Sequence, residues 1–289
     1  MSNDFLSVLK DKEASFSKGQ RSIAHYIQES YEKAAFMTAS RLAKAAGVSE
    51  STVVRFAAEL GYNGYPQMQK AMQGAVLNRL TAVQRMGVAS DRIGDQDVIS
   101  MVLHADADKL RQTAEMLNRD DFHASVNAIL NAKRIYILGV RSTSPLANFL
   151  GYYMSFMFEN VHIVTASGTS EMFEKVVGVG PDDAVIAFSF PRYSTATATV
   201  AQYCRTTGAT VIALTDSRLS PLGENSDYVL VAKSDMVSLV DSLVAPLSVV
   251  NALIVSLASK RGQALSKTFD TLEHVWETYH VYEKRVDRK

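Results

Sequence analysis

Along residues 5–80 the apolar positions recur three and four apart, at Ile23, Tyr26 and Ile27, at Leu42 and Ala46, and at Val53, Phe56 and Leu60. That spacing is the 3.6-residue period of short amphipathic helices. Residues 87–100 (GVASDRIGDQDVIS) are polar and carry two glycines, which predicts a linker. Residues 97–131 return to a helical period, as one or two helices bearing Leu103, Leu110, Leu117, Val126, Ile129 and Leu130. From residue 134 the period changes again. Short apolar runs stand at 134–138 (RIYIL), 161–164 (VHIV), 184–188 (AVIAF), 210–214 (TVIAL) and 228–231 (YVLV), and helix-length segments at about 145–158, 169–178 and 194–207 separate the first four. Continuous apolar strands joined by helices predict a parallel sheet covered on both faces, with right-handed crossovers. The apolar segment 237–260 predicts a long helix on that core. The fold class expected is therefore an all-α N-terminal domain followed by an α/β domain, an α-β-α sandwich with a parallel sheet. The expected boundaries are 1–80, a linker and connecting helix over 81–109, and 110–289.

Within the helical part, ASRLAKAAGVSESTVVRF (residues 39–56) places Leu42, Ala46, Val48, Val53 and Phe56 where two short helices would face each other. Gly47 lies between them, where a tight turn needs a residue free to adopt positive φ. Ala43 is small enough for close packing, Ser49 can cap the second helix, and Glu50 suits its first turn. This is the pattern of a helix-turn-helix, whose second helix enters the DNA major groove. The outward face of that helix would carry Ser49, Ser51, Thr52 and Arg55, with Tyr62, Tyr65 and Lys70 following as backbone contacts. Hydroxyls bond phosphates or base edges, and arginine pairs bidentately with guanine. The pattern leaves three roles open for Arg55: base reader, phosphate contact or surface salt bridge. Glu50 either reads cytosine or points away.

In the α/β part, the first strand runs into GVRSTSPLA, where Gly139 precedes Ser142, Thr143 and Ser144. A strand–loop–helix turn with hydroxyls and free N–H groups is an anion cradle. The alternative is a helix cap, with Ser144 capping and Pro145 at the first position. The third strand runs into SFPRYST, with Ser189 closing the strand and Arg192, Tyr193, Ser194 and Thr195 opening a helix. Both loops leave the carboxyl ends of parallel strands, where ligands of such sheets bind. Arg192 offers a planar cationic fork to an anion, or closes a salt bridge.

Composition adds two bounds. Cys204 is the only cysteine, so neither an intramolecular disulfide nor a cysteine zinc site is expected, and a reducing, cytoplasmic setting fits. The net charge of zero hides a division. Residues 1–86 carry 11 Lys/Arg against 7 Asp/Glu, residues 87–130 carry 4 against 8, and residues 131–289 carry 15 against 15. A +4 head, a −4 connector and a neutral remainder are compatible with DNA contact by the head alone. No membrane partner is expected, since the apolar stretch from Met236 to Ala258 is interrupted by Asp241, Pro246 and Asn251.

Taken together, these stretches resemble the RpiR/MurR family of bacterial transcriptional regulators. The likeness runs through TASRLAKAAGVSESTVVRFAAELGYNGY, GVRSTSPLA, SFPRYST and GATVIALTDSRLSPLGENSDYVL. The last carries the signature T-D-x-x-x-S-P-L at Thr215, Asp216, Ser220, Pro221 and Leu222. The resemblance implies a helix-turn-helix domain coupled to a sugar isomerase (SIS) domain that senses phosphosugars. It implies Ser142, Thr143, Ser189 and Ser194 as ligand residues, to which the reading of the second loop adds Arg192 and Thr195. It also implies repression as the commoner mode. Two positions depart from the family's pattern: Arg141 replaces the second glycine of G-x-G-x-S, and Pro191-Arg192 replaces Ser-Gly in S-x-S-G-x-[ST]. An unusual phosphosugar, a sugar acid or another anion therefore stand as candidate effectors.

Operator DNA and a homodimer or homotetramer are the expected macromolecular partners. A single recognition helix offers too few contacts for operator affinity, and the 237–258 segment is more apolar than a lone exposed helix tolerates. Neither a cofactor nor a metal is expected, since the histidines show no ligand spacing, and G-x-S-x-G and GK[ST] are absent. No catalytic residue is expected. The rival is a phosphosugar isomerase with a helical N-terminal extension, for which Glu171 or Glu174 would be the base.

Overall fold

The computed structural model describes residues 5–79, 97–166, 168–234 and 241–282. They form two compact units, one from residues up to 97 and one from residue 98 onward. The residues expected to form the linker before Asp97 lie outside the described ones.

The first unit is helical: α1 (Phe5–Asp11), α2 (Lys18–Glu29), α3 (Tyr31–Ala34), α4 (Ala39–Ala46), α5 (Glu50–Glu59) and α6 (Tyr65–Arg79). Ser17 and Gln20 close a reciprocal capping box at the start of α2, and Thr38 caps α4. The core contains Phe16, Ile23, Ile27, Leu42, Val53, Phe56, Met68 and Met72, all buried. The Phe16 and Phe56 rings meet edge-on at 5.1 Å. α2 lies close over α5, since a Cβ added at Gly19 would stand 3.3 Å from the Thr52 methyl. α6 closes the unit by supplying donors to backbone carbonyls near α3. Tyr65 Oη and Gln69 Nε2 both donate to Met37 O at 2.6 Å, and Gln73 Nε2 donates to Ala35 O at 3.0 Å.

The second unit begins with α7 (Val98–Met116) and α8 (Arg119–Asn131), separated by the Asn118 cap. It continues through β1 (Arg134–Leu138), α9 (Ser144–Met154), β2 (Val161–Val164), α10 (Thr169–Val176), β3 (Asp183–Phe188), α11 (Thr195–Thr206), β4 (Thr210–Thr215), β5 (Tyr228–Val231) and α12 (Val244–Thr278). Every strand pairing is parallel, in the order β2-β1-β3-β4-β5. The apolar runs divide by strand alternation into two cores. Ile135, Ile137, Ile186, Phe188, Ile212 and Leu214 face α8, α9 and α12. Tyr136, Leu138, Val185, Ala187, Val211 and Ala213 face α10 and α11. Both faces are covered, which is why the strands read as unbroken apolar runs.

α7 belongs to this unit, so residues 98–109 of the expected connector contribute to its packing. Lys109 on α7 is buried and pairs with Asp106 at 3.2 Å, and Asp106 accepts from Ser242 Oγ at 2.7 Å just before α12. α12 is long and apolar enough to cross a membrane, but its apolar stripe of Val249, Val250, Leu253 and Leu257 is packed into the sheet core. It extends well past residue 260. A break at Gly262 (φ 38°, ψ −111°) redirects it, and Arg261 lies over the Phe158 ring at 4.9 Å.

Candidate functional site

The first candidate surface lies on α4 and α5. Gly47 ends α4 in the left-handed region (φ 68°), letting the chain turn at once into α5. Ser49 caps α5 by accepting from Thr52 N at 3.3 Å. Its Oγ also lies 2.9 Å from Ser51 Oγ and 2.8 Å from Thr52 Oγ1, so the three hydroxyls form one cluster at the helix start. Ser49 and Ser51 are exposed and Thr52 is half-buried. Arg55 is exposed, with one long bond from Nε to Ser51 O at 3.4 Å and no acidic partner among the described residues. Val54, which sequence reasoning did not single out, shares the exposed surface of α5. An apolar residue so placed is a signal that burial, not pattern, reveals.

One expected contact falls elsewhere. Tyr65 is a core residue, 5% exposed, with its hydroxyl committed to Met37 O. Burial pushes its phenol up to about 12. It holds α6 in place and does not reach the surface, which corrects its expected DNA contact. Tyr62 is half-buried and stacks on Phe5 at 6.1 Å, with its phenol also raised by burial.

The second candidate is a cleft at the carboxyl edge of the sheet. Strand order reverses between β1 and β3, the outer strand β2 lying beyond β1 and β4 beyond β3. The loops after β1 and β3 diverge there and leave an opening, the usual ligand position in such sheets. The cleft holds about 410 Å³. Its lining includes Arg141, Thr165, Arg192, Tyr193, Ser194 and Thr195, and no carboxylate is among the lining residues described. Ser194 caps α11 by accepting from Thr197 N at 3.2 Å, so the cleft also receives the positive end of a twelve-residue helix.

Of the six expected ligand residues, Arg192, Ser194 and Thr195 line the cleft. Thr143 is buried and turns its hydroxyl inward, donating toward Val140 O at 2.9 Å and lying 3.4 Å from Phe188 O. Ser189 is buried too, its Oγ accepting from Ser194 N at 3.3 Å. These two hydroxyls brace the loops that frame the cleft and are not among its lining residues described. Ser142 is exposed and lies outside the lining. Tyr193, read from the sequence only as part of the helix start, has a role set by a distant partner: its hydroxyl donates to both oxygens of Asp216, at 2.9 and 3.2 Å. Burial raises the Asp216 carboxyl, while hydrogen bonds from Tyr193, its own backbone and Thr215 oppose the rise. The T-D-x-x-x-S-P-L stretch thus acts as scaffold. Asp216 anchors Tyr193, and Thr215 Oγ1 meets Ser220 Oγ at 2.9 Å while Ser220 accepts from Gly223 N at 3.0 Å.

Gly139 closes the first loop. A Cβ there would stand 2.8 Å from Ala147 Cβ and 2.9 Å from Thr143 O, neither of which is a flexible side-chain tip. Gly139→Ala is expected to cost about 1–3 kcal/mol of stability through overpacking. Denaturant unfolding checks this; an unchanged midpoint would mean the loop is freer than its contacts indicate.

The comparisons with known proteins agree with this geometry. Residues 3–78 match the rpiR-family helix-turn-helix domain and residues 128–256 match the SIS domain. An uncharacterised HTH-type transcriptional regulator of Clostridium perfringens is 25% identical over 227 residues, 78% of this chain and 80% of that protein. One from Haemophilus influenzae is 27% identical, over 75% of each chain. The sugar isomerase domain of the Sphaerobacter thermophilus RpiR transcription factor superposes with a TM-score of 0.59 at 26% identity, covering 62% of this chain and 99% of that one. The Vibrio vulnificus NanR protein, in a complex with ManNAc-6P, superposes with a TM-score of 0.58 at 23% identity, covering 94% of this chain and 98% of that one. With an rpiR-type helix-turn-helix at one end and a SIS domain at the other, the chain belongs to the RpiR family of helix-turn-helix transcriptional regulators.

Proposed function

We propose that the chain is an effector-controlled repressor. Its α5 enters the major groove, and its sheet-edge cleft binds a phosphosugar or a related anionic sugar metabolite. The observation that carries the effector half is the cleft lining, with two arginines, a helix N-terminus, Ser194 and Thr195, and no described carboxylate. NanR, whose fold covers nearly the whole chain, takes ManNAc-6P and supports this class of ligand. On the DNA side the proposed contacts are Ser49, Ser51, Thr52 and Arg55, with Val54 placed to meet a thymine methyl. Tyr62 serves as packing under that surface.

A non-enzymatic role fits the cleft better than isomerisation. Proton abstraction needs a base over the substrate. Glu171 and Glu174 are exposed, Glu171 pairs with Lys175 at 3.5 Å, and neither is among the lining residues. The protein acts in the cytoplasm, where its DNA is. Dimerisation follows from the need for two half-sites, and exposed Ile99, Leu103, Tyr152 and Val255 provide apolar surface for it. Domain boundaries follow the two units, with α7 counted in the sensor.

An operator-fragment mobility shift, with and without a phosphosugar panel and beside an isomerase assay, tests this reading; turnover without DNA binding would overturn it. Ser194→Ala should remove the α11 cap, at about 1 kcal/mol, and with it effector control. The expected result is an effector response lost at concentrations that saturate the wild type, with operator binding in its absence retained. A response of normal size would place the effector elsewhere. Coupling also demands reciprocity: operator must change effector affinity by the same factor that effector changes operator affinity.

A further inference from the structure

Two residues of the cleft are unusual in the same way. Arg141 (φ 56°) and Arg192 (φ 61°) both adopt the left-handed backbone, and among the described non-glycine residues only His280 shares it. Such a conformation is strained for a residue with a Cβ. Glycine would hold either loop without that strain. Both side chains are exposed at the rim of the same cleft, and neither has an acidic partner among the described residues. Structural salt bridges therefore do not explain them.

Charge then sets the ligand class. A phosphate monoester carries about −1.5 to −2 at neutral pH. The N-terminus of α11 supplies roughly +0.5, and its first-turn N–H groups and hydroxyls supply donors. One guanidinium beside it balances most of a phosphate. The second is surplus cation in a cleft with no described acid. A guanidinium fork matches a carboxylate or a phosphate bidentately. A volume of about 410 Å³ suits one small metabolite, so a second anionic group would belong to the same molecule.

We infer that the effector is a phosphorylated sugar acid, with its phosphate at the α11 N-terminus beside one of the two guanidinium groups and its carboxylate on the fork of the other. The two arginines are the specificity determinants that distinguish it from a neutral sugar phosphate. This rests on the cleft being the effector site. The test uses calorimetric titration of the full-length protein with matched pairs of four-, five- and six-carbon sugar phosphates and the corresponding phosphorylated acids.

The wild type should bind the acid of at least one pair tenfold or more tightly than its neutral partner. R141G/R192G should lose that preference, bringing the ratio near one, with thermal melting as the control for folding. R141K/R192K should retain a reduced preference, since it keeps the charge and loses the fork. Equal wild-type affinity for acid and neutral partner, or a preference that survives R141G/R192G, would overturn the inference and leave the cleft as a phosphosugar site. Binding of no pair at all would overturn the effector reading itself.

Discussion

Arg55→Ala is expected to weaken operator binding by about 1–3 kcal/mol per half-site, roughly 5- to 150-fold, while leaving the melting temperature unchanged. The argument is one of availability. Arg55 stands on α5 one turn beyond the Ser49–Ser51–Thr52 hydroxyl cluster, is exposed, and among the described residues has only a 3.4 Å bond to Ser51 O to give up. Its removal leaves no buried group unpaired, so the cost falls on binding and not on folding. The salt dependence separates its possible roles. Loss of a phosphate contact lowers the salt slope by about one and weakens all sequences alike, whereas loss of a base contact relaxes discrimination at one operator position. Mobility shifts on operator and scrambled fragments at two salt concentrations distinguish these. Unchanged operator affinity would remove Arg55 from the interface.

The elements were legible where local chemistry sets them. The turn at Gly47 needs positive φ, and the cap at Ser49 needs a short acceptor, so both could be read from residues alone. The strands were legible because a parallel sheet covered on both faces makes every position apolar. What escaped is what depends on a distant partner. Tyr65, beside Gly64 and Pro66, reads as a surface aromatic, and only the Met37 carbonyl brought up by α3 shows why it is buried. Thr143 and Ser189 carry the hydroxyls of an anion loop, and residue type alone did not show that each bonds within its own loop, Thr143 to Val140 O and Ser189 to Ser194 N. Arg141 and Arg192 were visible as substitutions. Their shared left-handed backbone, which gives them a common meaning, is a conformation no spacing rule predicts. The strand order, which opens the cleft between β1 and β3, was likewise invisible along the chain.

The same dependence on distant partners governs the largest stability effect expected here, at Arg134 and Asp183. The two are register partners on β1 and β3, 49 residues apart in the chain. Arg134 Nε donates to Asp183 Oδ1 at 2.9 Å and Nη2 to Oδ2 at 2.6 Å, and Gly180 N donates to Oδ2 at 2.8 Å. The same guanidinium donates to Gly178 O at 2.7 Å, so the pair ties the turn before β3 to the start of β1. The Asp183 side chain is 1% exposed and that of Arg134 35% exposed. Asp183→Ala leaves the Gly180 N–H without its acceptor and the guanidinium half-stranded. Breaking a buried pair costs about 3–5 kcal/mol, and the partial exposure of Arg134 puts the expectation near the low end, about 3 kcal/mol. For a domain stable by about 5–15 kcal/mol that is a large share, with a fall in Tm of roughly 6–12 °C. Burial alone would raise the Asp183 carboxyl, but the Arg134 and Gly180 hydrogen bonds outweigh it and hold the group below the usual carboxylate range. Because the folded value lies below the unfolded one, near 4, the contribution is fully present above that pH and is lost as pH falls through the folded value. Wild type should therefore melt well above Asp183→Ala at neutral pH, and the two curves should converge in strong acid. A gap that stayed constant from neutral pH into strong acid would show that Asp183 acts through packing and not through its charge.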